Sequence, residues 1–143
     1  MSRTTVTMTR PRTHAPTTRH RTMESFRRHF KTAKRAVGHG HTTSNLELED
    51  ALKKLRLLPM KVTTMCDVAR MKRDGVLPKY VIANVSCEPP GQHWVAYYRG
   101  IKYDPLGKDR SGTAEQNDVE TNCGQRCIGY LLMCQKANKA IFF

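Results

Sequence analysis

The sequence predicts an α+β domain in which a small mixed or antiparallel sheet packs on one central helix. Short β-branched and aromatic runs, separated by turn residues, follow one another over residues 80–104. Apolar residues recur at helical spacing on both sides of that region. The predicted order is therefore helix, helix, strands, polar loop, helix, and three strands are the minimum.

Two helices are expected before the sheet, with the folded part beginning near Thr42. In the first helix, Ser44 followed by Glu47 fits a capping box, and leucines then recur at helical spacing. These leucines are Leu48, Leu52 and Leu55. Pro59 ends this helix, and a second one is predicted over residues 64–72 because apolar residues recur on one side of it.

Three strands follow in the predicted order. Residues 80–85 form a short β-branched run that is typical of a buried strand, and residues 93–98 form the next strand after a turn at 88–91. Arg99-Gly100 is a tight turn into residues 101–104, so the last two strands are expected to form a hairpin.

A polar loop leads from this hairpin to the last helix, which is predicted from Cys123 to about Lys136. Its apolar face consists of Cys127, Tyr130, Leu131 and Cys134. Cys127 and Cys134 are expected to be small core residues of this face.

The positive charge is concentrated at the N-terminus. The chain of 143 residues has a net charge of +13, and residues 1–41 contain ten Lys or Arg against the single acid Glu24. Residues 42–143 contain fifteen Lys or Arg against eleven acids. The predicted division is a basic disordered arm over 1–41 and a folded domain over 42–143, since the arm has little to bury. Residues 27–35 could become helical on an anionic partner.

The arm has two interpretations. It is either a solvated tail that keeps the protein soluble or a nuclear-import or nucleic-acid-binding arm whose cations release counterions from phosphates. The candidate nucleic-acid-binding residues are Arg19, Arg21, Arg27, Arg28, Lys31, Lys34 and Arg35. A mitochondrial transit peptide is disfavoured because residues 1–22 lack an apolar stripe.

Hydropathy and the number of cysteines limit the class of protein to which the sequence can belong. No apolar run approaches the roughly 18 residues of a membrane span, and no secretory signal is recognisable. Five cysteines are an odd number, so at least one free thiol is expected, and a disulfide scaffold is not. We therefore expect a reducing intracellular compartment, with Cys66 and Cys87 as small core residues or with Cys87 exposed in its turn.

Four residues form a candidate site for acyl transfer by a thiolate: His93, Asp104, Gln116 and Cys123. A cysteine at a helix N-terminus is favoured as the thiolate, and a neighbouring histidine can exchange its proton. The predicted hairpin brings Asp104 to that histidine, where a carboxylate orients the imidazole. A glutamine N–H and the backbone N–H of the nucleophile can form an oxyanion hole.

The residues alone also allow another orienting acid and another use of the cysteines. Glu88 or Asp109 could orient the histidine instead of Asp104. A zinc site could use His93 with three cysteines of the last helix, but the third thiol would lie two turns away from the first, outside one tetrahedral shell. No metal or organic cofactor is therefore expected.

The motifs resemble those of the adenovirus protease (adenain) family of SUMO-protease-type cysteine peptidases. The resemblance rests on His93-Trp94, on the run Tyr103 to Gly107, and on Gln116 placed seven residues before Cys123-Gly124 with Cys127 following. The order His, Asp, Gln, Cys also differs from that of papain-type enzymes, in which the cysteine comes first. The resemblance covers residues 44–137, and its motifs occupy 93–127.

The resemblance implies a viral-type thiol endopeptidase in a minimal version of that fold. Cys123 would be the nucleophile, His93 the base, Asp104 its orienting acid and Gln116 the oxyanion donor. It further implies cleavage of precursor virion proteins after small residues such as Gly, DNA as an activator and partner, and an activating peptide as a further option. The expected location is then the host nucleus or the virion, with no membrane partner.

Two other functions remain open. Only eleven residues separate Asp104 from Gln116, fewer than the family carries, and this favours an inert protease-fold protein that binds nucleic acid. A deSUMOylase or deubiquitinase would use the same four residues on a different substrate.

Overall fold

The computed structural model describes residues 18–37, 44–87, 93–107 and 122–142. In these residues, helices and one mixed four-stranded sheet form an α+β fold, which confirms the predicted class. The helices are α1 (Thr18–Val37), α2 (Asn45–Lys54), α3 (Met65–Arg73) and α4 (Cys123–Ala137). The strands are β1 (Met60–Thr64), β2 (Tyr80–Asn84), β3 (Trp94–Tyr98) and β4 (Ile101–Tyr103).

The sheet has the strand order β1-β2-β3-β4. Strand β1 runs parallel to β2, with Val62 opposite Ile82, whereas β2, β3 and β4 pair antiparallel. The predicted hairpin is therefore present, with Tyr98 opposite Ile101 across its turn. Strand β1 is additional to the three predicted strands.

The predicted caps explain where α2 and α3 begin. The Ser44 N–H donates to Glu47 Oε1 over 2.9 Å, and the Glu47 N–H donates to Ser44 Oγ over 3.2 Å, which confirms the capping box. Thr64 precedes α3 as its N-cap, since Thr64 Oγ1 accepts from the Asp67 N–H over 3.3 Å. The second helix therefore starts one residue later than predicted.

The two faces of the sheet bury different clusters because successive side chains of a strand point to opposite sides. On one side, Ile82, Ala96 and Tyr98 join a large core with α1, α2 and α4. On the other side, the sheet packs against Val68 of α3. The strand residues of this smaller cluster are Val81, Ala83, Val95 and Tyr97.

Helix α4 is the central helix of the larger core. Every residue from Cys123 to Cys134 is buried, so this helix is covered on all sides rather than amphipathic. Cys127 and Cys134 lie fully inside the core, as predicted. Gly129 permits the close approach of α1, since a Cβ there would lie 2.9 Å from the Cα of Phe30.

Helix α1 corrects the expectation of a disordered arm. Residues 18–37 form a 20-residue helix that packs mainly against α4. Its apolar residues explain the difference, because Phe26 and Ala33 are fully buried in the larger core and Phe30 packs against it. The contacts that hold this helix in the structure come from the larger core of the same chain. Residues 1–17 lie outside the described part of the chain.

The structure also corrects the expectation for two cysteines. Cys66 and Cys87 are exposed and joined by a disulfide, with Cα atoms 5.6 Å apart, so the core assignment is wrong for both, whereas the alternative of an exposed Cys87 is confirmed. The bond connects the start of α3 to the segment after β2. Cys123, Cys127 and Cys134 are the free thiols of the described residues.

None of the described helices combines the length and the apolar character needed to cross a membrane.

Candidate active site

The β3–β4 hairpin brings His93 and Asp104 together. His93 directly precedes β3 and Asp104 directly follows β4, so the two residues lie at the same end of an antiparallel pair. The His93 Nε2 lies 2.7 Å from Asp104 Oδ1, and the two side chains are 14% and 7% exposed. Since the carboxylate occupies Nε2, the Nδ1 atom is the ring nitrogen left for a second partner.

Local backbone contacts hold the Asp104 carboxylate in place. The Asp104 Oδ1 atom also accepts a hydrogen bond from the Leu106 N–H over 2.9 Å. The backbone carbonyl of Asp104 accepts one from the Gly107 N–H, also over 2.9 Å. Gly107 has a φ of 67°, which a glycine adopts without steric cost. The turn after β4 therefore presents a preoriented acceptor to His93.

The environment of His93 favours the imidazolium. Burial lowers its pKa, but the hydrogen bonds to Asp104 and Cys123 and the negative charges of both partners outweigh that effect and raise the pKa from 6.5 to about 9. Burial raises the pKa of Asp104, but the hydrogen bonds from His93 and from the Leu106 N–H outweigh burial, so the pKa lies below its ordinary value of 3.8. At neutral pH the pair is therefore a charged imidazolium–carboxylate.

Cys123 is the first residue of α4 and the second partner of His93. The first intrahelical bond of α4 runs from the Arg126 N–H to the Asn122 carbonyl over 3.0 Å. The N–H groups of Cys123 and Gly124 come before it, in the first turn that lacks intrahelical acceptors. An anion on the sulfur or on a bound oxygen would thus face the positive end of the helix.

The other two free cysteines lie deeper in the core than Cys123, which is itself only 7% exposed. Cys127 and Cys134 are completely buried farther along the same helix. Burial raises the pKa of the Cys134 thiol to about 11 despite the hydrogen bonds of Tyr130 and the Ile141 backbone, which lower it. Cys134 is therefore a neutral thiol of the core and a useful internal reference for reactivity.

A stack of aromatic rings joins the hairpin to α4. Tyr103, which directly precedes Asp104, stacks on Tyr130 of α4 with ring centroids 4.2 Å apart and planes within 4°. The ring centroid of Phe26 in α1 lies 6.3 Å from that of Tyr103, with the two planes tilted by 47°. The contact positions Asp104 and Cys123 relative to each other, because each lies on an element held by the stack.

Arg126 is a nearly buried cation in the first turn of α4 that the sequence analysis did not single out. It lies one turn after Cys123, is only 9% exposed, and donates from Nε to Asn122 Oδ1 over 2.9 Å. Its guanidinium lies 4.5 Å from the ring centroid of Phe30 in α1. Arg126 therefore connects the first turn of α4 to the basic helix, a relation that no spacing in the sequence indicates.

Three of the four predicted site residues are brought together: His93, Asp104 and Cys123. Gln116, the predicted oxyanion donor, lies outside the described residues. The two alternative orienting acids, Glu88 and Asp109, also lie outside them.

All seven predicted nucleic-acid-binding residues lie on α1. Arg21, Arg27, Arg28, Lys31 and Arg35 are exposed there, and Lys34 is partly buried over the ring of Phe30. Arg19 belongs to the same helix, but its side chain is not among those described.

An open groove of about 560 Å³ lies between α1 and the C-terminal half of α4. Arg21 and Arg28 line it from α1, and Lys136 adds a cation from α4 that sequence reasoning did not include. The groove extends the positive surface of α1 onto the helix that carries Cys123.

Among the described residues, no group of three or more His, Cys, Asp or Glu side chains is placed to hold a metal ion. Comparison with protein-family models, with curated proteins and with solved structures returned no match to this chain.

Proposed function

We propose that this protein is a cysteine endopeptidase with Cys123 as nucleophile and His93 as general acid and base. The observation that carries the proposal is the His93–Asp104 pair at 2.7 Å, which faces a cysteine at the first position of a helix. This arrangement places an oriented imidazole, its carboxylate counter-ion and the thiol of a cysteine at a helix start next to one another, which is the set of groups that thiol catalysis uses.

The reaction follows from these groups. The Cys123 thiolate adds to the carbonyl carbon of the scissile peptide bond, and the carbonyl electron pair moves to oxygen. When that oxygen reforms the carbonyl, the C–N bond breaks and His93 gives its proton to the leaving amine, leaving a thioester. Water then adds to the thioester, His93 takes a proton from it, and the acid and the thiolate leave. Gln116 is proposed as the side-chain donor to the oxyanion, together with the Cys123 N–H.

The substrate class and setting rest on the resemblance to adenain-like peptidases. We propose that the substrates are precursor virion proteins cleaved after small residues such as Gly, in the host nucleus or the virion. DNA is the proposed activator, since α1 presents exposed cations and contacts Arg126 through Phe30. An activating peptide would be a further partner in this proposal.

The test is covalent labelling of the purified protein by a peptide vinyl sulfone that ends in Gly, with and without duplex DNA. Mass spectrometry locates the adduct. We expect selective modification of Cys123, loss of this adduct in His93→Ala, and no loss in Cys134→Ser, whose thiol lies in the core. Slow labelling of Cys123 that does not depend on His93 would contradict the proposal.

The cations of α1 favour one second candidate, a nucleic-acid-binding accessory protein that keeps a peptidase fold as an inert scaffold. It predicts salt-dependent DNA binding that Arg27→Gln weakens, while no cysteine is labelled selectively. A third reading, a deSUMOylase or deubiquitinase, shares the labelling result. Cleavage of ubiquitin-like fusions, compared with cleavage of a Gly-containing peptide, separates it from the endopeptidase.

A further inference from the structure

The Cys66–Cys87 disulfide lies at the same end of the sheet as His93. In the parallel pair of β1 and β2, the last residues in register are Thr64 and Asn84. Cys66 follows Thr64 by two positions. Cys87 follows Asn84 by three positions, so the disulfide joins the two chains directly beyond this end of the pair. The same end of β2 pairs with the start of β3, which His93 directly precedes.

A short backbone path connects Cys87 to His93. The Val85 N–H donates to the His93 carbonyl over 3.0 Å. The Ser86 N–H donates to Asn84 Oδ1 over 2.9 Å, which forms an Asx turn directly before Cys87. The disulfide therefore fixes one end of the segment from Val85 to Cys87, and the other end of this segment holds the backbone of His93.

Apolar burial contributes little to holding this segment. Val85 is 41% exposed, Ser86 is partly buried and Cys87 is exposed. Strand β2, in contrast, is buried along its whole length. A segment with few buried contacts opens locally at low cost, so its covalent bond to α3 contributes a large part of its order. Loss of the bond should therefore release residues 85–87 and leave the sheet in place.

Both cysteines of the disulfide are exposed, which makes the bond accessible to exchange with a small thiol. A thiolate attacks one sulfur atom, the S–S bond breaks, and the other sulfur leaves as a thiolate. A second small thiol then displaces the protein cysteine from the mixed disulfide. Two electrons and two protons pass to Cys66 and Cys87, and the two small thiols become one small disulfide. The other cysteines are 7% exposed at Cys123 and completely buried at Cys127 and Cys134, so the exposed pair should react first.

We propose that Cys66 and Cys87 form a redox switch that holds His93 in the candidate site when the bond is present and releases it when small thiols reduce the bond. In the oxidised protein, the Val85 N–H stays on the His93 carbonyl and the imidazole stays on the Asp104 carboxylate. In the reduced protein, the segment opens and the imidazole loses its fixed place. The effect on catalysis rests on the proposed peptidase function, whereas the effect on His93 does not.

The first experiment compares the oxidised and the reduced protein, prepared with different ratios of oxidised to reduced dithiothreitol. Alkylation followed by mass spectrometry verifies the state of Cys66 and Cys87. Hydrogen exchange followed by NMR should show that reduction accelerates exchange of the Val85 amide by about tenfold or more. The Arg99 N–H donates to the Lys79 carbonyl over 2.8 Å at the opposite end of β2 and β3, so it is the internal reference and should not change.

The second experiment measures the site itself. Burial lowers the pKa of His93 and its hydrogen bonds raise it to about 9, so a ring that loses these bonds on reduction should have a lower pKa. After removal of dithiothreitol, labelling of Cys123 by the vinyl sulfone that ends in Gly should be slower in the reduced protein by about tenfold or more. Cys66→Ser and Cys87→Ser should each behave as the reduced protein with or without reductant. The two variants change different elements, so a folding defect in one, detected by circular dichroism, leaves the other as the test.

Three results would overturn the switch. They are an unchanged Val85 exchange and His93 pKa on reduction, an equal acceleration of exchange at Arg99, and equal labelling of Cys123 in both redox states. The last result would leave the peptidase proposal intact. If Val85 and His93 respond to reduction while Cys123 is labelled in neither state, the coupling of the disulfide to His93 is confirmed and the peptidase proposal fails.

Discussion

Asp104→Asn is expected to remove most of the pH dependence of stability between pH 6.5 and 9. In the wild-type protein, the pKa of His93 is raised from 6.5 to about 9, against the lowering effect of burial, by its hydrogen bonds to Asp104 and Cys123. A raised pKa means that the folded state binds the proton more tightly than the unfolded state. The resulting stabilisation is fully present below pH 6.5 and is lost as the pH rises through about 9.

The size of the effect follows from the shift. Each pKa unit corresponds to about 1.4 kcal/mol, so the wild-type free energy of unfolding should fall by about 3 kcal/mol across this range. The side chain of His93 is only 14% exposed, so solvent screening reduces this figure little. In Asp104→Asn, burial is opposed by Cys123 alone, and the pKa of His93 should fall well below 9.

Urea denaturation at a series of pH values measures the free energy of unfolding, and the imidazole proton signals of His93 report its pKa directly. Asp74→Asn is the matched control, because it makes the same chemical change on an exposed carboxylate outside the site. The reasoning is refuted if Asp104→Asn keeps the wild-type pH slope, or if the control loses it as well.

Three further changes test the packing around the site. Gly129→Ala should lower the free energy of unfolding in urea by about 2 kcal/mol, because the new Cβ would lie 2.9 Å from the backbone of Phe30. An unchanged midpoint of urea denaturation would contradict the close approach of α1 and α4. Cys87→Ser should lower the free energy of unfolding by about 3 kcal/mol under oxidising conditions, because the disulfide to Cys66 is lost. A reductant should lower the melting temperature of the wild type and leave that of the variant unchanged. Ser44→Ala should cost about 1 kcal/mol by removing the cap of α2, and an equal stability of variant and wild type would show that the cap is dispensable.

The elements that the sequence predicted correctly are those with local signals. The capping box at Ser44 and the hairpin turn at Arg99-Gly100 depend on neighbouring residues, so their patterns are readable without tertiary structure. The meeting of His93 with Asp104 followed from that hairpin. Strand β1 was missed because its five residues form a strand through pairing with β2, a contact that leaves no local pattern.

The features missed on α1 have a related cause. Its sequence is rich in Arg and Thr, and its apolar side is limited to Phe26, Phe30, Ala33, Ala36 and Val37, which pack against the larger core. Whether such a sparse stripe folds depends on a complementary surface elsewhere, here the buried helix with Gly129 at the contact. The Cys66–Cys87 pair was missed for the same reason, because spacing along the chain does not reveal which thiols are neighbours in space.

The packing of α1 on α4 has a kinetic consequence. The two helices lie about one hundred positions apart in the chain, so their contact closes a long loop and contributes strongly to contact order. We expect the β2–β3–β4 meander, whose contacts are local, to form early, and α1 to dock late. Docking of α1 would then form the cationic surface of α1 and complete the packing around Cys123 in the same late folding step. Every folded chain that exposes this cationic surface would therefore also have a complete candidate active site.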